Sequence, residues 1–340
     1  MEKRFEGQIA VVTGASAGIG RALVRALAHE GAHLGLLARG VDGLEGAAEE
    51  VRAAGGKAVV IPTDVSDHDQ VERAAARVEE ELGPIDLWIN NAMVSVFSPI
   101  SQLKPEELRR VTDVTYHGYV WGTMAALRRM QARDRGTIVQ VNSALAYRGI
   151  PLQAAYCAAK HAVQGFCDSL WSELLHDGSH VKLRAVNLPA VNTPQFDWSK
   201  SHMPRKAQPV GTIFQPELIA DAILWAALHE QRELNVAWPA TQGVVANALV
   251  PGMADAYLAR TAYEGQLTDE PEDPDRPSNL WEPLPGDHGA HGRFDSRAKN
   301  RSAWLWASKN RAWLVPAAAL ALTAYIGLSK RESLGKSRRS

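Results

Sequence analysis

Tyr156 and Lys160 stand four residues apart in a stretch of helical pattern, so both side chains fall on one helix face. Thirteen residues before Tyr156, Ser143 follows an apolar run, Thr137-Ile-Val-Gln-Val141, that reads as a strand. A phenol with an ordinary pKa of about 10 exchanges protons poorly at neutral pH. A neighbouring ammonium stabilises the phenolate and lowers that value, which makes tyrosine usable as a general acid or base. A serine hydroxyl nearby can hydrogen-bond the oxygen that gains or loses the proton. These three residues predict proton transfer at a substrate oxygen, although the Tyr-x-x-x-Lys spacing alone also occurs as a plain surface pair on helices.

Such residues need a frame that brings a strand end and a helix face together. Up to about Gly265, short apolar runs alternate with longer amphipathic ones. Strand patterns fall at 9–13, 33–37, 57–61, 87–89, 137–141, 181–186 and 233–237; helical patterns include 18–30, 67–82, 105–132, 154–176 and 216–229. This order predicts an α/β, doubly wound parallel sheet with helices on both faces, a Rossmann fold. Ligands bind such sheets at the carboxyl ends of the strands. The first of those loops is Thr13-Gly14-Ala15-Ser16-Ala17-Gly18-Ile19-Gly20. Its glycines let the backbone turn sharply and approach a pyrophosphate at the helix N-terminus. The second strand ends in Leu37-Ala38-Arg39, where a carboxylate would hold a free ribose 2′-OH and an arginine accommodates a 2′-phosphate. Arg39 therefore predicts NADP over NAD, with Asp42 close enough in sequence to offset it.

The spacing Gly14-x-x-x-Gly18-x-Gly20 behind Thr13, Asn90-Asn91-Ala92 after the fourth strand, Ser143 after the fifth and Tyr156-x-x-x-Lys160 together resemble the short-chain dehydrogenase/reductase family. The resemblance covers about the first 260 residues. It implies an oxidoreductase that moves a hydride between NADP(H) and a secondary alcohol or ketone. Tyr156 is then the acid/base, Ser143 holds the substrate oxygen, and Lys160 serves both the phenol and the nicotinamide ribose. Ser16, Ile19, Val65 and Ala92 are implied cofactor contacts beside the glycines. Asp64 is implied at the adenine, Asn90 in a sheet-stabilising, cofactor-facing turn, and Val191 and Thr193 at the nicotinamide carboxamide. Three positions depart from the family. Met93 replaces a glycine, Leu188-Pro189 replaces Pro-Gly, and Thr115 replaces the asparagine that holds a water in the proton relay. The Thr115 hydroxyl is expected to serve an altered relay. The alternative is a non-catalytic dinucleotide-binding scaffold at a membrane, which Met93 and Thr115 favour and the intact Ser143, Tyr156 and Lys160 oppose. The family also implies a homo-oligomer and a substrate lid at 194–215, whose Phe196, Trp198, Met203 and Phe214 suggest a lipophilic small molecule.

The 340 residues carry 37 Lys and Arg against 38 Asp and Glu, and a net charge of −1 gives no case for nucleic acid. With 46% hydrophobic and 22% charged residues the chain is too apolar for disorder. Cys157 and Cys167 lie about 15 Å apart on one helix, too far to bridge, which favours a reducing, cytoplasmic setting. The first seven residues lack the apolar core of a signal peptide. Eight acids against Arg276 alone in 264–287, then eleven Lys or Arg against two acids in 293–340, divide the chain further. The expected organisation is a 1–263 domain, an acidic Pro-rich linker at 264–302 and a basic tail at 303–340. Within the tail, the 17 uncharged residues Ala312 to Leu328 make a candidate membrane helix of about 25 Å against a hydrocarbon core of about 30 Å. His288 and His291 are too few for a metal site and read as linker, so no metal is expected.

Overall fold

The computed structural model describes residues 3–238, 242, 247 and 249–311, and at its centre seven parallel strands form one sheet. They are β1 (Ile9–Thr13), β2 (His33–Ala38), β3 (Ala58–Pro62), β4 (Leu87–Asn90), β5 (Thr137–Ser143), β6 (Lys182–Leu188) and β7 (Glu233–Asn235). Their order across the sheet is β7-β6-β5-β4-β1-β2-β3. Every residue of β1 and β4 is buried, which explains why these runs are apolar throughout and do not alternate. The chain builds outward from β1 to β3 on one side and from β4 to β7 on the other. Loops leaving β1 and β4 therefore diverge and open a crevice at the carboxyl end of the sheet.

Helices α1 (Gly18–His29), α2 (Val41–Ala53), α3 (His68–Leu82), α4 (Pro105–Thr112), α5 (Gly118–Gln131), α6 (Ala154–His176), α7 (Gln195–Trp198), α8 (Pro216–Leu228) and α9 (Pro251–Gly265) follow. Asp67 starts α3 by accepting from the amides of Asp69 (2.9 Å) and Gln70 (3.0 Å). The single helix expected over 105–132 is α4 and α5 joined through a π-helical turn, Asp113–His117.

Residues 264–301, expected as a linker, are instead part of the same compact unit, Met1–Arg301. Leu267–Pro271 pairs antiparallel with Arg205–Ala207, and Leu280 is fully buried in the main core. The acids that suggested a solvated segment meet basic residues far away in sequence. Glu270 pairs with Lys206 (2.7 Å) and Asp287 with Arg21 (2.7 Å). Ser302–Ser340 forms a second unit. Its described part holds α10 (Ala303–Lys309), where the Ser302 hydroxyl accepts from the Leu305 amide (3.1 Å). The candidate span Ala312 to Leu328 lies outside the described residues, and no helix among the described residues is long and apolar enough to cross a membrane.

Candidate active site

The crevice between the ends of β1 and β4 is built first from the glycine loop. Gly14 turns the chain at φ +67, and a Cβ there would lie 2.9 Å from the Ala92 Cα. A Cβ on Gly20 would sit 2.0 Å from the Gly14 carbonyl oxygen, so only glycine lets α1 close on the loop. Ala17, at the N-cap of α1, offers no side-chain acceptor to the first turn, a form suited to an anion. The Thr13 hydroxyl accepts from the amides of Asn91 (2.8 Å) and Ala92 (3.1 Å), locking the two loops together. Gly14, Ser16, Gly18, Ile19, Arg39, Asp64, Val65, Ala92 and Thr193 line one cleft, together with Asn91 and Met93.

Asn90 does not belong to that lining. Its amide donates to Tyr119 O, Thr123 Oγ1 and Gln140 Oε1 at 3.1–3.3 Å, and its oxygen accepts from Trp88 Nε1 at 2.8 Å. Its hydrogen bonds tie β4 to β5 and α5, so its role is structural, and its neighbour Asn91 is the residue that faces the cleft. Val191 is likewise buried, in a two-residue bridge to Ile213–Phe214. Burial alone would raise the Asp64 carboxyl, but hydrogen bonds from Arg110 (2.6 Å) and Ser66 (2.7 Å) outweigh it and hold the group below its ordinary range.

Ser143 ends β5, and its hydroxyl accepts from the Leu145 amide at 3.1 Å and lies near enough to the Tyr156 phenol to act on its ionisation. Tyr156 and Lys160 occupy the first two turns of α6, on one face as the spacing predicted. Burial drives the Tyr156 phenol well above its ordinary value, and the nearby Ser143 hydroxyl offsets only part of that. Burial also pushes the Lys160 ammonium down to about 7. Lys160 Nζ donates to Tyr119 Oη (2.8 Å) and to the Val141 carbonyl (2.8 Å), and lies 5.7 Å from the Tyr156 ring centre. Tyr119 escaped the sequence reading because its contacts join α5, β5 and α6, and no local spacing announces them. Thr115 lies in the π-helical turn, where its hydroxyl donates to the Val94 carbonyl (3.0 Å) and accepts from the Val94 amide (3.2 Å). That hydroxyl pins the loop after β4.

Residues 279–292 cross the outer side of the cleft as a strap. Arg39, expected to meet a 2′-phosphate, donates from both terminal nitrogens to strap carbonyls: Asn279, Leu280 (3.4 Å) and Trp281 (2.6 Å). Burial and the nearby Arg110 charge lower the Arg39 pKa from its ordinary value. Farther along, the Gly18 amide at the start of α1 donates to the Gly289 carbonyl (2.9 Å). Asp287 takes two hydrogen bonds from Arg21, 2.7 and 3.0 Å, beside the pair that Arg21 gives Glu50. Asn279, Pro283, Leu284, Gly286 and His288 thus form a second wall opposite the glycine loop. Of the expected lid residues, Phe196 and Met203 pack with Phe97, Leu152 and Phe294 in a satellite core. Phe214 is buried, and Trp198 faces the cleft edge-on to His288 (4.9 Å).

A family model described as short chain dehydrogenase matches residues 8–203. The chain belongs to the short-chain dehydrogenase/reductase family of oxidoreductases. The uncharacterized oxidoreductase YxnA of Bacillus subtilis is 29% identical over 321 residues, 94% of this chain and 89% of that one. Among solved structures, a short chain dehydrogenase from Mycobacterium paratuberculosis bound to NAD superposes with TM-score 0.63 at 26% identity, covering 70% of this chain and 99% of the other. An alcohol dehydrogenase from Thermococcus sibiricus complexed with 5-hydroxy-NADP gives TM-score 0.58 at 29% identity, covering 67% and 94%.

Proposed function

We propose that the protein interconverts a secondary alcohol and its ketone with a nicotinamide dinucleotide, using Tyr156 as general acid/base. The observation that carries this reading is the grouping of Ser143 at the end of β5 with Tyr156 and the buried Lys160, one helical turn apart on α6, where Lys160 Nζ lies 5.7 Å from the Tyr156 ring centre. The cleft suits a dinucleotide. Its glycines let the loop and α1 close tightly on each other and on the loop after β4, α1 begins without a capping side chain, and solved relatives carry NAD and an NADP analogue. Gly14, Ser16, Gly18 and Ile19 would hold the pyrophosphate, Asp64 and Val65 the adenine side, and Thr193 the nicotinamide side.

When bound, the dinucleotide supplies or accepts the hydride. The chain's own residues handle the proton. Burial keeps Tyr156 protonated, ready to donate from Oη to a carbonyl oxygen, and the reverse reaction returns the proton to the phenolate. Ser143 donates a hydrogen bond to the same oxygen. Lys160, when charged, stabilises the phenolate, while Tyr119 and the Val141 carbonyl fix its Nζ. The sequence argues for NADP through Arg39 alone, and with that guanidinium engaged by the strap the argument no longer carries the choice. Phe196 and Met203 pack in the satellite core while Trp198 faces the cleft, and the proposal is of carbonyl chemistry without a defined substrate shape.

Tyr156→Phe tests the mechanism. Turnover in a carbonyl screen should fall by about a hundredfold or more, while dinucleotide binding followed by nucleotide fluorescence stays nearly unchanged. Full activity in that variant would overturn the assignment.

A further inference from the structure

We propose that the strap makes this chain select NAD(H), with the Asn279 side chain accepting a hydrogen bond from a hydroxyl of the adenosine ribose. The proposal rests on the dinucleotide reading of the cleft and deepens it. The end of β2 is where folds of this class read the 2′ position. Here that corner contains more than Arg39. The Asn279, Leu280 and Trp281 carbonyls converge on its guanidinium, Arg110 donates to the same Leu280 carbonyl (3.0 Å), and Leu280 is buried without exposure. The carboxylates of Asp64 and Glu282 also act on the Arg39 charge. The positive group that would attract a 2′-phosphate is therefore committed to oxygens of the protein itself.

A 2′-phosphate offers only acceptors and negative charge, and it would enter among carbonyls and carboxylates while drawing Arg39 away from three of them. A ribose hydroxyl is both donor and acceptor. The corner contains a group that needs such a donor. Asn279 lines the cleft, its backbone carbonyl receives Arg39, and its side-chain Oδ1 is buried with no hydrogen-bond partner. A buried acceptor left unpaired is destabilising, so a ligand that supplies the missing hydrogen gains selectivity from this one atom. The family match ends at residue 203, which places the reading residue in a segment beyond the core of the family.

The test is a titration of the full-length chain with NADH and with NADPH, without substrate, followed by nucleotide fluorescence. The expected result is tighter binding of NADH by about tenfold or more. Asn279→Ala should weaken NADH roughly two- to tenfold and NADPH less. Asn279→Asp retains an acceptor, so it should keep NADH binding and weaken NADPH further. Tighter binding of NADPH by the unaltered chain overturns the selection. Equal losses for both nucleotides in Asn279→Ala, with Asn279→Asp no better, overturn the role of the side chain. Binding of neither nucleotide by the unaltered chain overturns the dinucleotide reading itself.

Discussion

Neutral oxygens hold Lys160 in place: its Nζ is bonded to the Tyr119 hydroxyl and the Val141 carbonyl, and burial lowers its pKa from 10.5 to about 7. Between those two values the unfolded chain binds the proton that the folded chain has released, so this group adds stability as pH rises through that window. Below about 7 the folded protein must carry a buried charge, and the penalty is complete. Lys160→Met should therefore raise the melting temperature most at or below pH 7, with the gain shrinking toward pH 10. A difference that stays constant across that range would contradict the buried-charge account. Ser143, Tyr156 and Lys160 were legible in the sequence because one strand end and one helix repeat place them. Thr115 and Asn90 were legible only as positions. What their polar atoms bond to depends on Val94, Trp88 and Gln140, which reach them through packing that no local pattern encodes.

At the scale of elements, the strands and helices around the cleft follow from apolar runs covered on both faces and from helical periodicity, and their observed ends lie within two residues of the expected ones. The strap was not legible, because proline and carboxylates read locally as solvated chain. Its anchor is the Arg21 guanidinium, 3% exposed and shared between Glu50 and Asp287. Asp287→Ala would leave that guanidinium with half its carboxylate partners. We expect a loss of roughly 1–3 kcal/mol in thermal or urea denaturation. Faster amide exchange should appear in 286–289, with the sheet unaffected. Unchanged exchange in the strap would show that Arg21 does not hold it.

For the whole molecule, the compact unit ends at Arg301, well beyond the boundary that charge and proline suggested. A chain stopped after residue 263 loses the pairing of Leu267–Pro271 and the burial of Leu280 and Phe294, each side chain contributing about 1.5–3 kcal/mol. It should melt roughly 10 °C or more below the full chain. A chain stopped after residue 301 should keep nearly the full melting temperature. Equal melting of the two truncated chains would refute the extended unit.

The bond between Arg21 and Asp287 spans 266 positions, almost the length of the unit it closes. Loop-closure entropy grows only logarithmically, so so long a loop is little harder to hold than a moderate one, but contacts of such separation form late. The inner wall of the cleft comes from β1 and α1, and its outer wall from residues 279–292, which are made much later. During synthesis the crevice is thus exposed before its cover exists, and a nucleotide can settle on the open sheet before the strap docks. Once docked, the strap makes nucleotide exchange depend on its own release, so a freshly made molecule and a mature one should differ in how fast they trade cofactor while sharing every residue of the site.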